Sequence, residues 1–144
     1  MKHSYLLASF LFAISYVANS QKIFNYEKNF SKIDKLYEKG EYKKALKKNK
    51  GEKKSSDKRL QAFAWLYEAK IREAQGLMKE MEGSLKKSLE VAEEFKTTEP
   101  RTYNLFLVKL AAFYREYGNP RKSVESIERI TSADLPPLQQ HEKN

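Results

Sequence analysis

Leu36-Tyr37-Glu38-Lys39-Gly40-Glu41-Tyr42-Lys43-Lys44-Ala45-Leu46 is the stretch that decides the fold. Before Gly40, the apolar residues Phe30, Ile33, Leu36 and Tyr37 recur at i, i+3, i+6 and i+7, which is one face of an α-helix. After it, Tyr42, Ala45 and Leu46 open a second apolar face. A glycine between two such faces lets the backbone leave one helix and reverse into the next. The segment therefore predicts helix, glycine turn, helix. Asn25 supplies an N-cap for the first helix. The second begins near Glu41 and is expected to fade into Asn49-Lys50-Gly51.

The same grammar recurs twice downstream. Ser55-Ser56-Asp57 offers capping oxygens, and Leu60, Phe63, Ala64, Tyr67, Ile71 and Ala74 form a stripe that Trp65, Leu66 and Ala69 widen. Gly76 ends that helix, and Met78, Met81, Leu85, Leu89, Ala92 and Phe95 stripe its successor. Thr97-Thr98-Glu99-Pro100 combines a capping hydroxyl, an acid in the first turn and a proline where its missing N–H costs little. The helix from Tyr103 to Tyr117 is apolar nearly all round, so it is expected to be packed on two sides. Gly118-Asn119-Pro120 makes the last turn, before a helix striped by Val124, Ile127 and Ile130. No segment reads as a strand. The expected fold is all-α, built from three antiparallel helical hairpins at about 25–50, 57–95 and 99–131.

Aligned on Gly40, Gly76 and Gly118, the three copies resemble the tetratricopeptide repeat family, whose pattern puts a glycine in the turn, an aromatic two residues later and a small residue three further on. The first copy matches with Gly40, Tyr42 and Ala45. The second gives Trp65, Ala69, Gly76, Met78, Met81, Leu85 and Ser88, and the third gives Ala111, Tyr114, Gly118, Pro120, Ser123, Ile127 and Ile130. Small residues at Ala45, Ala69, Ala111 and Ser123 suit close helix approach. Departures are plain as well. The glycines are 36 and 42 residues apart, against about 34 in the family. Met78 and Pro120 replace the aromatic, Met81 is larger than the small residue expected, and Lys32 is charged where leucine is preferred. A degenerate array fits this pattern, and so does a generic bundle of three hairpins.

The resemblance implies a short right-handed solenoid whose first helices line a concave surface that holds a segment of another protein. The inward candidates on those helices are Asp34 and Tyr37, then Phe63, Tyr67 and Lys70, then Lys109, Ala112 and Arg115. Lys70, Lys109 and Arg115 would favour an acidic segment or a terminal carboxylate. Solenoids need a polar cap at each end, whereas Val124, Ile127 and Ile130 would keep an uncovered side. Three solutions are open: closure of the helices on one another, cover by a partner or a second copy, or continuation into a longer repeat array. Cover by a partner or second copy is the favoured expectation.

Outside the repeats, Met1–Ser20 has the form of a secretory leader: Lys2 and His3, a mostly apolar run from Tyr5 to Ala18, and small residues at Ala18 and Ser20. The run is too short for a membrane span, which needs roughly 20 apolar residues. The mature chain is expected to begin near Gln21, to be exported to a periplasm or the outside, to fold over 21–132 and to end in a disordered tail at 133–144.

The 144 residues carry a formal charge of +9, and loss of Lys2 with the leader leaves +8. Lys39 to Arg59 alone holds ten basic and three acidic residues, so nearly all the excess sits there. A second functional reading follows: an electrostatic binder of an anionic envelope surface, lipid head groups or cell-wall polymer, through Lys43, Lys44, Lys47, Lys48, Lys53 and Lys54. A plain solvated helix face has the same composition. Nucleic acid is disfavoured, because the segment lacks interleaved aromatics and an arginine cluster.

Catalysis is not expected. There is no cysteine, and the two histidines, His3 and His141, lie at opposite extremities, so neither a nucleophile–histidine pair nor a histidine metal site can be assembled. No glycine-rich phosphate loop exists. The Ser-x-x-Lys matches at Ser55 and Ser84 are as many as chance supplies. No cofactor is expected.

Overall fold

Among the described residues, three have φ values far into the left-handed region, and all are glycines: Gly40 at 71°, Gly76 at 75° and Gly118 at 86°. Each sits just past a helix and closes it in the same way. Gly40 N–H donates to Tyr37 O (2.9 Å) while Glu41 N–H reaches back to Leu36 O (2.9 Å). Gly76 and Leu77 repeat this onto Glu73 and Arg72, and Gly118 and Asn119 onto Arg115 and Tyr114. This is the Schellman arrangement, in which two otherwise orphaned carbonyls are satisfied by the reversing chain. An added Cβ at Gly76 would meet nothing within 4 Å, so the cost of replacing it is backbone strain alone. Gly76→Ala is expected to destabilise by about 1–2 kcal/mol, and Gly76→Asn by less. Thermal unfolding of the two variants checks this.

The computed structural model describes residues 24–130. The expected leader (Met1–Ser20, with His3), the start near Gln21 and the expected tail at 133–144 (with His141) lie outside the described residues. Six α-helices occur among the described residues: α1 (Glu27–Glu38), α2 (Tyr42–Lys53), α3 (Lys58–Ala74), α4 (Met78–Ala92), α5 (Pro100–Glu116) and α6 (Pro120–Glu128). A 3-10 turn, Glu93–Phe95, follows α4. There is no strand among the described residues, so the expectation of an all-α fold holds. None of these helices is long and apolar enough to cross a membrane.

Helix starts follow the sequence in part. Asp57 caps α3, its side chain accepting from Arg59 N–H (2.9 Å). Asn119 caps α6 by accepting from Lys122 N–H (3.2 Å), and Pro100 and Pro120 open α5 and α6. Asn25 accepts from Glu27 N–H (3.1 Å), although the capping position falls on Tyr26. Thr97 and Thr98 do not cap α5: the capping position is Glu99, whose side chain makes no cap bond. The helix striped by Met78 to Phe95 tightens into the 3-10 turn after Ala92.

One departure is larger. α2 does not fade at Asn49-Lys50-Gly51 but runs on to Lys53. Asn49 is fully buried, and its Nδ2 donates to the Ala64 carbonyl of α3 at 2.8 Å. A tertiary contact thus carries a helix whose composition alone would not.

Packing joins α1 to α2, α3 to α4 and α5 to α6, and α3 also meets α2 and α5. Ala45, Ala62, Ala64 and Ala69 are wholly buried, so helix surfaces approach closely there. Aromatic rings bridge the helices: Tyr26, just before α1, stacks on Phe63 of α3 at 4.1 Å, and Phe30 stacks on Tyr67 at 4.3 Å. Phe63 meets Phe106 of α5 edge-on at 5.6 Å. Between α4 and α6, Lys122 pairs with Glu82 at 3.0 Å. Arg129, just past α6, pairs with Glu93. Of the terminal apolar residues, Ile130 is buried, contrary to expectation, while Val124 and Ile127 stay exposed, as does Val108 on α5.

Candidate partner groove

A cavity of about 410 Å³ opens among α1, α3 and α5. From α1 come Asp34 and Tyr37, with Tyr26 at its start; from α3 come Phe63, Leu66, Tyr67, Lys70 and Glu73; from α5 come Lys109, Ala112, Phe113 and Glu116, with Tyr117 just past its end. Of the inward candidates, Asp34, Tyr37, Phe63, Tyr67, Lys70, Lys109 and Ala112 are all brought together here.

Arg115 is not. It is exposed and does not line the cavity, while its neighbour Glu116 does. The reason is helical drift. Steps of three from Lys109 fall behind the 3.6-residue turn, so residue 115 points about 120° away from residue 109, whereas residue 116 returns to within about 20°. The same i+3, i+4 and i+7 bookkeeping would have found Leu66 from Phe63, and Phe113 and Glu116 from Lys109, with Glu73 one step of three beyond Lys70. Tyr26 and Tyr117 carried no such signal, since they flank helix ends.

The wall between α1 and α3 is tied together by polar groups. Tyr67 Oη donates to Asp34 Oδ2 at 2.9 Å. Lys70 Nζ lies 3.9 Å from Asp34 Oδ1, 4.4 Å from the centre of the Tyr37 ring and 5.9 Å from that of Tyr67. Across the groove, Phe113 of α5 and Tyr117 just past its end stack at 6.2 Å. Burial, with Asp34 alongside, pushes the Tyr67 phenol far above its ordinary range. Burial also raises Tyr37, and the charges of Glu73, Tyr42 and Glu116 add to it. These groups bind and orient. Among the described residues, no three carboxylate or imidazole groups are arranged to hold a metal ion.

Outside the groove, Tyr103 is buried and donates to Glu93 at 2.7 Å, which raises its pKa to about 12. The sign follows from that. An unfolded tyrosine ionises near 10.0, so the neutral phenol stabilises the fold fully below that pH, and the contribution is lost as pH climbs through about 12. Tyr67 and Tyr103 are expected to ionise last in an alkaline absorbance titration, and Tyr103→Phe to flatten the loss of stability over that window. Ionisation of all tyrosines together, with the fold intact, would contradict it.

The lysine-rich helix divides into two populations. Lys53 pairs with Glu68 and lies 4.1 Å from the Trp65 ring centre, and Lys44 pairs with Glu41. Lys43, Lys47, Lys48, Lys50 and Lys54 are exposed and in no ion pair among the described residues. Lys53, expected in the solvated patch, is instead a packing residue whose side chain is only 20% exposed.

No family model matches this chain, and no curated protein or solved structure is similar to it.

Proposed function

We propose that the chain is an exported, non-catalytic adaptor, built of degenerate tetratricopeptide-like hairpins in a short solenoid, that holds a segment of another protein between α1, α3 and α5. The observation that supports it is that seven of the eight groove residues expected from the sequence, on three helices separated along the chain, line one cavity. That cavity is walled by aromatic rings, the side chains that most often carry interface energy. Its test is affinity capture from a native envelope fraction with the wild-type chain and with Ala112→Trp, which fills the groove without removing a core side chain. Retained proteins should be lost on Ala112→Trp and keep binding when Lys43, Lys47, Lys50 and Lys54 are all changed to Gln. Retention indifferent to Ala112→Trp would sink the reading.

One observation favours a second reading. Lys43, Lys47, Lys50 and Lys54 follow i, i+4, i+7 and i+11, a single exposed face of α2 suited to an anionic envelope surface. Binding of anionic vesicles or cell-wall polymer that vanishes in the quadruple Gln variant, and falls steeply with salt, would support it.

A further inference from the structure

The groove does not treat the two signs of charge alike. Lys70 is already committed, held between Asp34 and the Tyr37 ring. What remains on the lining is Lys109 against Glu73 of α3 and Glu116 of α5, none of them in an ion pair among the described residues. The two carboxylates line the cavity from different helices, Glu73 from α3 and Glu116 from α5. The aromatic residues Tyr37, Tyr67, Phe113 and Tyr117 line the cavity as well, and aromatic rings attract cations. Lys70 demonstrates the chemistry within the chain: an ammonium seated 4.4 Å over a tyrosine ring with a carboxylate beside it.

We infer that the groove takes a cationic protein segment, seating a Lys or Arg side chain against Glu73 and Glu116 beside the tyrosine faces. This rests on the groove reading above and reverses the charge that Lys70, Lys109 and Arg115 suggest when read without their neighbours. Arginine suits the place better than lysine, because its planar fork can stack on a ring and meet a carboxylate with two donors.

A random peptide display library panned on the full chain tests it, with four proteins compared: wild type, Ala112→Trp, Glu73→Gln/Glu116→Gln, and the quadruple Lys-to-Gln variant of α2. Circular dichroism confirms that each is folded. Peptides held by wild type and lost on Ala112→Trp should be enriched in Arg and Lys over Asp and Glu. Their affinity should fall about tenfold on Glu73→Gln/Glu116→Gln, as expected for two partly desolvated charge pairs, and stay unchanged on the α2 variant. Groove-dependent peptides that are acidic or uncharged, or that keep their affinity on Glu73→Gln/Glu116→Gln, overturn the cationic assignment while leaving the groove standing. If no retained peptide depends on Ala112→Trp, the groove reading fails, and this inference with it.

Discussion

Replacing Phe63 by alanine is expected to lower the free energy of unfolding by about 3–5 kcal/mol. The ring is fully buried and joins three parts of the chain at once. It lies nearly parallel to Tyr26, at 5° and 4.1 Å, and meets Phe106 of α5 edge-on; Phe24 sits at 6.5 Å. Its removal leaves a void whose walls stand on separate helices, each held by its own neighbour, so the void cannot collapse cheaply. Aromatic pairing adds roughly 0.5–1.5 kcal/mol per lost pair to the burial term. Urea unfolding followed by circular dichroism measures the loss. Val108→Ala, at a side chain 45% exposed, should change stability by less than about 0.5 kcal/mol. Equal effects from the two would mean that the aromatic bridge does not hold α1, α3 and α5 together.

What could be read in advance divides along a physical line. Gly40, Gly76 and Gly118 announced the helix ends because the Schellman closure demands a positive φ, a local requirement carried by residue type. Phe63, Tyr67 and Lys70 were legible as a groove face because helical spacing is local too. The extent of α2 was not, because a buried Asn49 bonded to the Ala64 carbonyl depends on α3 being alongside. Nor was the fate of Lys53, which Glu68 and Trp65 draw out of the solvated face. The position of Arg115 was misplaced for a geometric reason. Counting in threes along α5 selected Arg115 and passed over Glu116, which replaces a cation by an anion at the end of the site.

Glu68 carries the second large expectation. It is 12% exposed at its side chain and serves two cations, Lys53 of α2 and Arg72 one turn further along α3, the latter at 3.6 Å. Arg72 Nε is buried with no hydrogen-bond partner, and besides Glu68 its guanidinium reaches Gln75, Nη1 donating to Oε1 at 3.4 Å. Glu68→Ala would leave two half-buried positive charges facing each other across α2 and α3. A fully buried pair broken in this way costs about 3–5 kcal/mol; with Lys53 and Arg72 partly reached by water, about 2–3 kcal/mol is expected. Glu68→Gln, which keeps hydrogen bonding but not charge, should fall between that and wild type. Lys53→Met together with Glu68→Leu should recover much of the loss, since apolar residues of similar volume replace a buried pair at little cost. Lys43→Gln, Lys47→Gln or Lys50→Gln, at exposed and unpaired positions of the same helix, should each stay within about 0.5 kcal/mol of wild type. Chemical unfolding of this series separates lysines by where they point rather than by the charge they share: if Glu68→Ala proved as mild as Lys47→Gln, the contact between α2 and α3 would have to rest on Asn49 and Ala45 alone.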